Sequence, residues 1–206
     1  MRQLFTSLPI LSLIVLSACA GEQRQPVEAE NTAATWSLKA RQSYVHYTTV
    51  KQDDIAEPNS FSIFTGSVEP SGAANVSIAL NSVQTNVDTR DERMKRLVFK
   101  TSDYPMANIS TTIPMQVLSA LAEGKRQSIE EEITVSMAGV KASFDANFMV
   151  TRLGPNLVLV ESERPVYVQA SDFEFEGGIA ELKNLANLDS ITPVVPVSFS
   201  LVFDRS

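Results

Sequence analysis

Between Gln127 and Val150 apolar and polar residues alternate so regularly that only one local structure fits. From Gln127 to Met137 the apolar residues Ile129, Ile133, Val135 and Met137 hold odd positions, while Ser128, Glu130, Glu132, Thr134 and Ser136 hold even ones. Only Glu131 breaks the apolar face. From Val140 to Val150 the phase reverses, with Val140, Ala142, Phe144, Ala146, Phe148 and Val150 on one side and Lys141, Ser143, Asp145 and Asn147 on the other. A period of two puts successive side chains on opposite faces of an extended chain, so these are two half-buried strands. Ala138-Gly139 lies between them, and glycine at the second central position suits a type II turn. A hairpin closing there sets Met137 opposite Val140, Val135 opposite Ala142 and Ile133 opposite Phe144, all on one face.

The same rule, less cleanly kept, runs through the rest of the chain. Thr35–Ala40 and Ser43–Val50 read as a pair of strands. Phe61, Ile63 and Thr65 alternate, as do Val76, Ile78 and Leu80; Leu157–Ala170 is a long β-rich stretch, and Val197, Phe199, Leu201 and Phe203 close the chain. Turn chemistry recurs at Glu57-Pro58-Asn59, Pro70-Ser71-Gly72, Glu123-Gly124-Lys125 and Gly154-Pro155-Asn156. Two segments depart from it. Thr89-Arg90-Asp91-Glu92 has the form of a capping box, followed by Met94, Leu97 and Val98 on one helical face and by the i,i+4 pairs Asp91–Lys95 and Glu92–Arg96. Gly178–Leu188 carries Ile179, Leu182, Leu185 and Ala186 on one side. Many strands joined by short turns, with two short helices able to plug or lid an open end, imply an all-β antiparallel barrel or sandwich.

The first residues follow a different logic. Arg2, an apolar run from Leu8 to Leu16, and then small residues give residues 1–18 the layout of a secretory signal, too short to span a bilayer. Leu16-Ser17-Ala18-Cys19 resembles the bacterial lipobox, in which the cysteine is acylated and becomes the first mature residue. Ala20 stands where inner-membrane lipoproteins often carry Asp, so the resemblance implies an outer-membrane anchor facing the periplasm. Residues 19–34 then form the lipidated Cys19 and a polar linker, and residues 35–206 the folded domain.

Composition removes several classes of function. The chain has 206 residues, of which 44% are hydrophobic, and its net charge of -7 disfavours a nucleic-acid partner. One Cys and one His exclude an internal disulfide framework and a conventional zinc site, and no cofactor is implied. There is no Gly-x-Ser-x-Gly elbow, which leaves His46, between Tyr44 and Tyr47, as the best candidate base for catalysis. Asp172, Glu174 and Glu176 would share one side of an extended segment and could hold calcium weakly; a solvated acidic face is the plainer reading. Arg90, Arg93, Lys95 and Arg96 form a basic cluster on the first helix, suited either to a lipid headgroup or to solvent. No enzymatic constellation emerges.

The order of elements from Trp36 to Phe203 resembles the YceI-like family of bacterial envelope proteins. The residues that carry the likeness are Trp36, Ser43, Ser82-Val83-Gln84-Thr85, Asp91-Glu92-Arg93-Met94, Phe99, Tyr104-Pro105, Ile109-Ser110-Thr111, Gly139-Val140 and the Val197–Phe203 strand. The family helix commonly reads Asp-x-His-Leu, whereas Arg93 and Met94 hold the last two places here. The resemblance implies a lipocalin-like, eight-stranded antiparallel barrel whose apolar bore holds a polyisoprenoid, an isoprenoid quinone included. The expected wall comprises Ile63, Ile78, Leu80, Ile133, Val135, Met137, Phe144, Phe148, Val197, Phe199 and Leu201, with Met94, Leu97, Leu182 and Leu185 on lid helices. At about 0.8 kcal/mol per buried methylene, one isoprene unit contributes on the order of 4 kcal/mol. A few units exceed the roughly 4–15 kcal/mol that association costs. Three matters stay open: which face of Leu157–Val160 points inward, whether two barrels form a homodimer, and whether the barrel is instead an adaptor for an envelope protein.

Overall fold

A computed structural model describes residues 35–205, and the lipobox, the signal segment and the linker expected at 1–34 lie outside them. Twelve strands follow in order: β1 Trp36–Leu38, β2 Tyr44–Lys51, β3 Ile55–Phe61, β4 Phe64–Val68, β5 Ala73–Ala79, β6 Val83–Gln84, β7 Met106–Thr112, β8 Arg126–Met137, β9 Val140–Gly154, β10 Leu157–Ser162, β11 Val166–Gln169 and β12 Val194–Arg205. Among the described residues there are three α-helices rather than the two expected: α1 Asp88–Arg93, α2 Met115–Ala120 and α3 Glu176–Leu185. α1 widens at once into a π-helical turn, Met94–Val98.

The twelve segments make eight staves. β1 with β2, β3 with β4, β5 with β6, and β10 with β11 are each one stave interrupted by a kink. β1 and β2 pair with β12 on one side and with β4 and β3 on the other. β4 and β3 continue to β5 and β6. From β5 the sheet runs antiparallel through β7, β8, β9 and β10 back to β12, and β11 also joins β12. The result is a closed, eight-stranded, antiparallel up-and-down barrel.

Serines mend the kinks. Ser43, after a 3-10 turn at Ala40–Gln42, donates to the Lys39 carbonyl at 2.9 Å and accepts the Val202 N–H at 2.9 Å. The buried Ser82 donates to the Ala79 carbonyl at 2.6 Å and accepts the Ile63 N–H at 3.1 Å. Ser162 accepts the Phe199 N–H at 3.1 Å. In each case a hydroxyl replaces a ladder bond that the kink removes.

The β8–β9 hairpin has the register that the alternation gives, Met137 opposite Val140, Val135 opposite Ala142 and Ile133 opposite Phe144. Its turn differs from the type II expected. Ala138 and Gly139 both have positive φ, 52° and 84°, the type I′ pattern whose twist matches that of paired strands. Glu57-Pro58-Asn59, expected as a turn, lies inside β3. The reversal falls instead at Gln52-Asp53, both with positive φ. Pro58 is tolerated because β6 pairs only with Ser60 and Phe61, leaving the flank of β3 at Pro58 without a strand partner.

The barrel ends are closed differently. At the lower end, beside the β4–β5 and β9–β10 turns, Trp36 is 2% exposed. The Arg152 and Arg205 guanidinium carbons lie 5.5 and 5.4 Å from its ring centroid. Arg152 also donates to the carbonyls of Gly154 at 2.8 Å, Leu118 of α2 at 3.2 Å, and Pro155. α1 and α3 lie across the upper end. β7 and β8 pair only over Asn108–Ser110, then part around a small polar cleft that takes Glu131, the residue that breaks the apolar alternation.

Candidate functional site

Period-two strands in a barrel send every second side chain inward, and here that set encloses a cavity of about 610 Å³. β8 contributes Ile133, Val135 and Met137, β9 Phe144, Phe148 and Val150, and β12 Val197, Phe199, Leu201 and Phe203. Ile78 of β5 and Leu80, in the 3-10 turn after it, complete one flank. Val158 and Val160 are the inward residues of β10, which resolves the face of that strand. A register shift between Leu157 and Val158 sets their phase. At the lower end Trp36, Val68, Ile113, Leu118, Val158 and Phe203 line the cavity and are all buried. At the upper end the lining includes the exposed Val87 and Thr89, so the mouth opens there.

Six aromatic rings run round the cavity in one chain of contacts. Tyr47 meets Phe61 at 5.6 Å, Phe61 meets Phe99 at 5.7 Å, and Phe99 meets Phe175 at 5.8 Å. Phe175 meets Phe173 at 5.8 Å, and Phe173 meets Phe144 at 6.1 Å. These separations are those of favourable edge and offset pairs. Phe173 and Phe175 lie outside the wall expected from the sequence. Their segment is not extended: Asp172 closes a 3-10 turn by accepting the Gln169 N–H at 2.7 Å, and Glu174 is left-handed at φ 59°. Asp172, Glu174 and Glu176 therefore share no strand face, and no metal-holding group of acids, His or Cys occurs among the described residues.

Polar groups gather at the mouth. Glu57 of β3 accepts from Lys51 at 2.8 Å and from Arg90 of α1 at 2.6 Å. Burial pushes the Glu57 carboxyl up, but the hydrogen bonds and charges of Lys51 and Arg90 outweigh it and hold it below its ordinary value. α1 begins at Asp88, so Thr89 lies inside the helix and the expected capping box does not form. Instead Asp91 reaches back to accept the Thr85 N–H at 2.8 Å and its hydroxyl at 2.5 Å. With Asp91 so engaged, Lys95 pairs with Glu92 at 2.8 Å. Of the four basic residues of this cluster, Arg90 and Arg93 face the cavity.

The model of the YceI-like domain matches residues 36–203. The chain belongs to the YceI-like family. Among solved structures, this YceI-like barrel is similar to a polyisoprenoid-binding domain from Saccharophagus degradans, 30% identical, covering 84% of this chain and 99% of that one with a TM-score of 0.82. BcnA of Burkholderia cenocepacia shares the fold at 14% identity, covering 80% of this chain and 98% of its own, TM-score 0.61. So does the YCEI protein of Campylobacter jejuni at 16% identity, covering 72% and 84%, TM-score 0.51. No curated protein matches the chain.

Three expected positions fall elsewhere in the YceI-like fold. Ile63 is 59% exposed and outside the cavity, because the kink at Ser62-Ile63 shifts the alternation so that Phe61 and Phe64 both turn inward. Leu97 is half-buried but off the cavity, since the π-helical turn presents Met94 and Val98 there. Leu185 is exposed, rotated off the face that Ile179, Leu182 and Ala186 turn to the cavity. α3 ends before the expected Leu188, with Asn187 left-handed, its N–H on the Asn184 carbonyl and the Leu188 N–H on the Lys183 carbonyl. His46 lies on the outer face of β2, exposed and stacked on Tyr44 at 4.7 Å, away from the cavity.

Proposed function

We propose that this chain is a lipid-anchored, periplasm-facing YceI-like barrel that holds a polyisoprenoid, an isoprenoid quinone included, without catalysing a reaction on it. One observation carries the reading: a cavity of about 610 Å³, walled chiefly by aliphatic side chains and phenylalanines and open at one end. That volume lies within the range of small-ligand sites. Burial of methylenes supplies the affinity, so holding a long apolar chain needs no specific motif. The similarity to the polyisoprenoid-binding domain of Saccharophagus degradans supports the same class of ligand. The protein acts as a carrier or buffer, keeping an insoluble lipid out of water between membranes.

Mass spectrometry of organic extracts from the mature chain lacking Cys19 tests the ligand. A stoichiometric isoprenoid is expected. An empty extract, repeated after quinones and polyprenols are offered, overturns the reading and favours an adaptor barrel. The anchor is tested separately: Cys19→Ser moves the protein from the membrane fraction to the soluble periplasm, and a variant that stays membrane-bound removes the lipobox from the argument.

A further inference from the structure

The cavity wall is mostly apolar, and the buried polar atoms on it that lack a partner among the described residues gather at one place. Tyr47 of β2 and Asn59 of β3 are direct cross-strand partners, 7% and 3% exposed, and both face the cavity. Asn59 donates through its amide nitrogen to Thr49 Oγ1 and to the Glu57 carbonyl, both at 3.0 Å. A carbonyl can only accept, which fixes the amide orientation and leaves Oδ1 pointing elsewhere. Arg90 spends Nη1 on Glu57 and Nη2 on the Thr85 carbonyl, each at 2.6 Å. The atoms left are the Tyr47 hydroxyl, Asn59 Oδ1 and Arg90 Nε, all buried and without a hydrogen-bond partner among the described residues. Orphaned buried polar atoms are costly, and three fronting one cavity point to a ligand group that completes them.

The chemistry of that group follows from the three. Burial, the largest cause, and the nearby Asp91 push the Tyr47 hydroxyl up against a smaller pull from Arg90, so Tyr47 is protonated and available as a donor. Arg90 Nε is a donor, and Asn59 Oδ1 is an acceptor. We propose that the barrel reads the head of its lipid here and that the head carries a neutral hydroxyl, which accepts from Tyr47 and Arg90 and donates to Asn59. This rests on the isoprenoid reading and narrows it. A fully ionised phosphate has no proton for Asn59. It would also lie beside the Glu57 carboxylate, on which Lys51 and Arg90 are already spent. An oxidised quinone offers only acceptors. A polyprenol and a hydroquinone both present the required hydroxyl.

The test compares binding of five probes of matched chain length to the purified full-length protein: a polyprenol, its monophosphate, a prenylated quinone, the corresponding hydroquinone, and a head-free polyene hydrocarbon. The polyprenol or the hydroquinone, or both, bind about tenfold more tightly than the other three, and which of them leads identifies the source of the hydroxyl. Tyr47→Phe keeps the ring in place and removes only the donor. It reduces that preference about tenfold. If the hydrocarbon binds as well as the alcohol, or the phosphate or oxidised quinone binds best, the head assignment is wrong while the isoprenoid function stands. If none of the five binds, the function itself is wrong. The probe series on the unaltered protein separates these outcomes whether or not the variant folds.

Discussion

Ser82 stands at the junction of two kinked staves, where the backbone bonds from Ser62 N–H to the Ser82 carbonyl and from Ala79 N–H to the Ile63 carbonyl leave the Ile63 N–H and the Ala79 carbonyl to a side chain. Its hydroxyl is committed on both sides, to the Ala79 carbonyl and from the Ile63 N–H, and it is buried. Ser82→Ala should therefore lower stability by about 1–2 kcal/mol, the net worth of the two hydrogen bonds its hydroxyl makes. For a chain of this length that is a Tm several degrees lower. Thermal unfolding followed by circular dichroism checks it, and an unchanged Tm would show that the kink needs no mending. That role is not legible in the sequence, where Ser82 enters only as the first residue of Ser82-Val83-Gln84-Thr85, one of the stretches that carry the family likeness. The same holds for the polar trio: Asn59 sits in Glu57-Pro58-Asn59, which has turn chemistry, and only the register with Tyr47 brings it into the wall.

Among the elements, the β8–β9 hairpin is the most legible, because a period of two that only Glu131 interrupts admits one register. The kinked staves are the least, because each kink resets the phase, which is how Ile63 comes to lie outside the wall. The helices are half legible. Their apolar faces are visible, but the π-helical widening after α1 and the packing partner of α3 are not. That partner is close: a Cβ on Gly178 would lie 2.3 Å from the Leu97 carbonyl oxygen and 2.8 Å from its carbon. Elsewhere in a helix, glycine to alanine gains up to about 1 kcal/mol. Here Gly178→Ala should instead cost about 1–3 kcal/mol through overpacking and push α3 off the π-helical turn. A lower Tm with faster loss of bound isoprenoid is the expected result, and a stabilised variant would show that the two helical segments do not need their close approach.

For the barrel as one body, the eight-stave closure is implied by resemblance and by the strand pattern together, since alternation alone leaves barrel and sandwich both open. Its upper rim is held partly by charge, and that gives stability a pH dependence. Glu57 has a folded-state value below the ordinary 4.5, so the unfolded chain binds its proton first as the pH falls. The contribution is complete above the ordinary value and is lost as the pH drops through the folded one. Glu57→Gln should unfold earlier than the unaltered protein at pH 7, and the gap should narrow below about pH 4.5. Parallel Tm curves from about pH 7 to about pH 3 would remove Glu57 from the account.

The buried Trp36 floor, with Arg152 and Arg205 against its ring, makes the bore a blind tube rather than a channel. Cargo in a blind tube has one order of arrival and one of departure. A prenyl chain must be threaded with its far end leading, and it leaves head first by the path it came. Delivery is then loading run backwards, governed by whichever membrane gives the head the better solvent. With Trp36 at the floor and Tyr47, Asn59 and Arg90 set for the head, the span between them measures the chain: units beyond it must fold back inside the cavity or leave the head unseated.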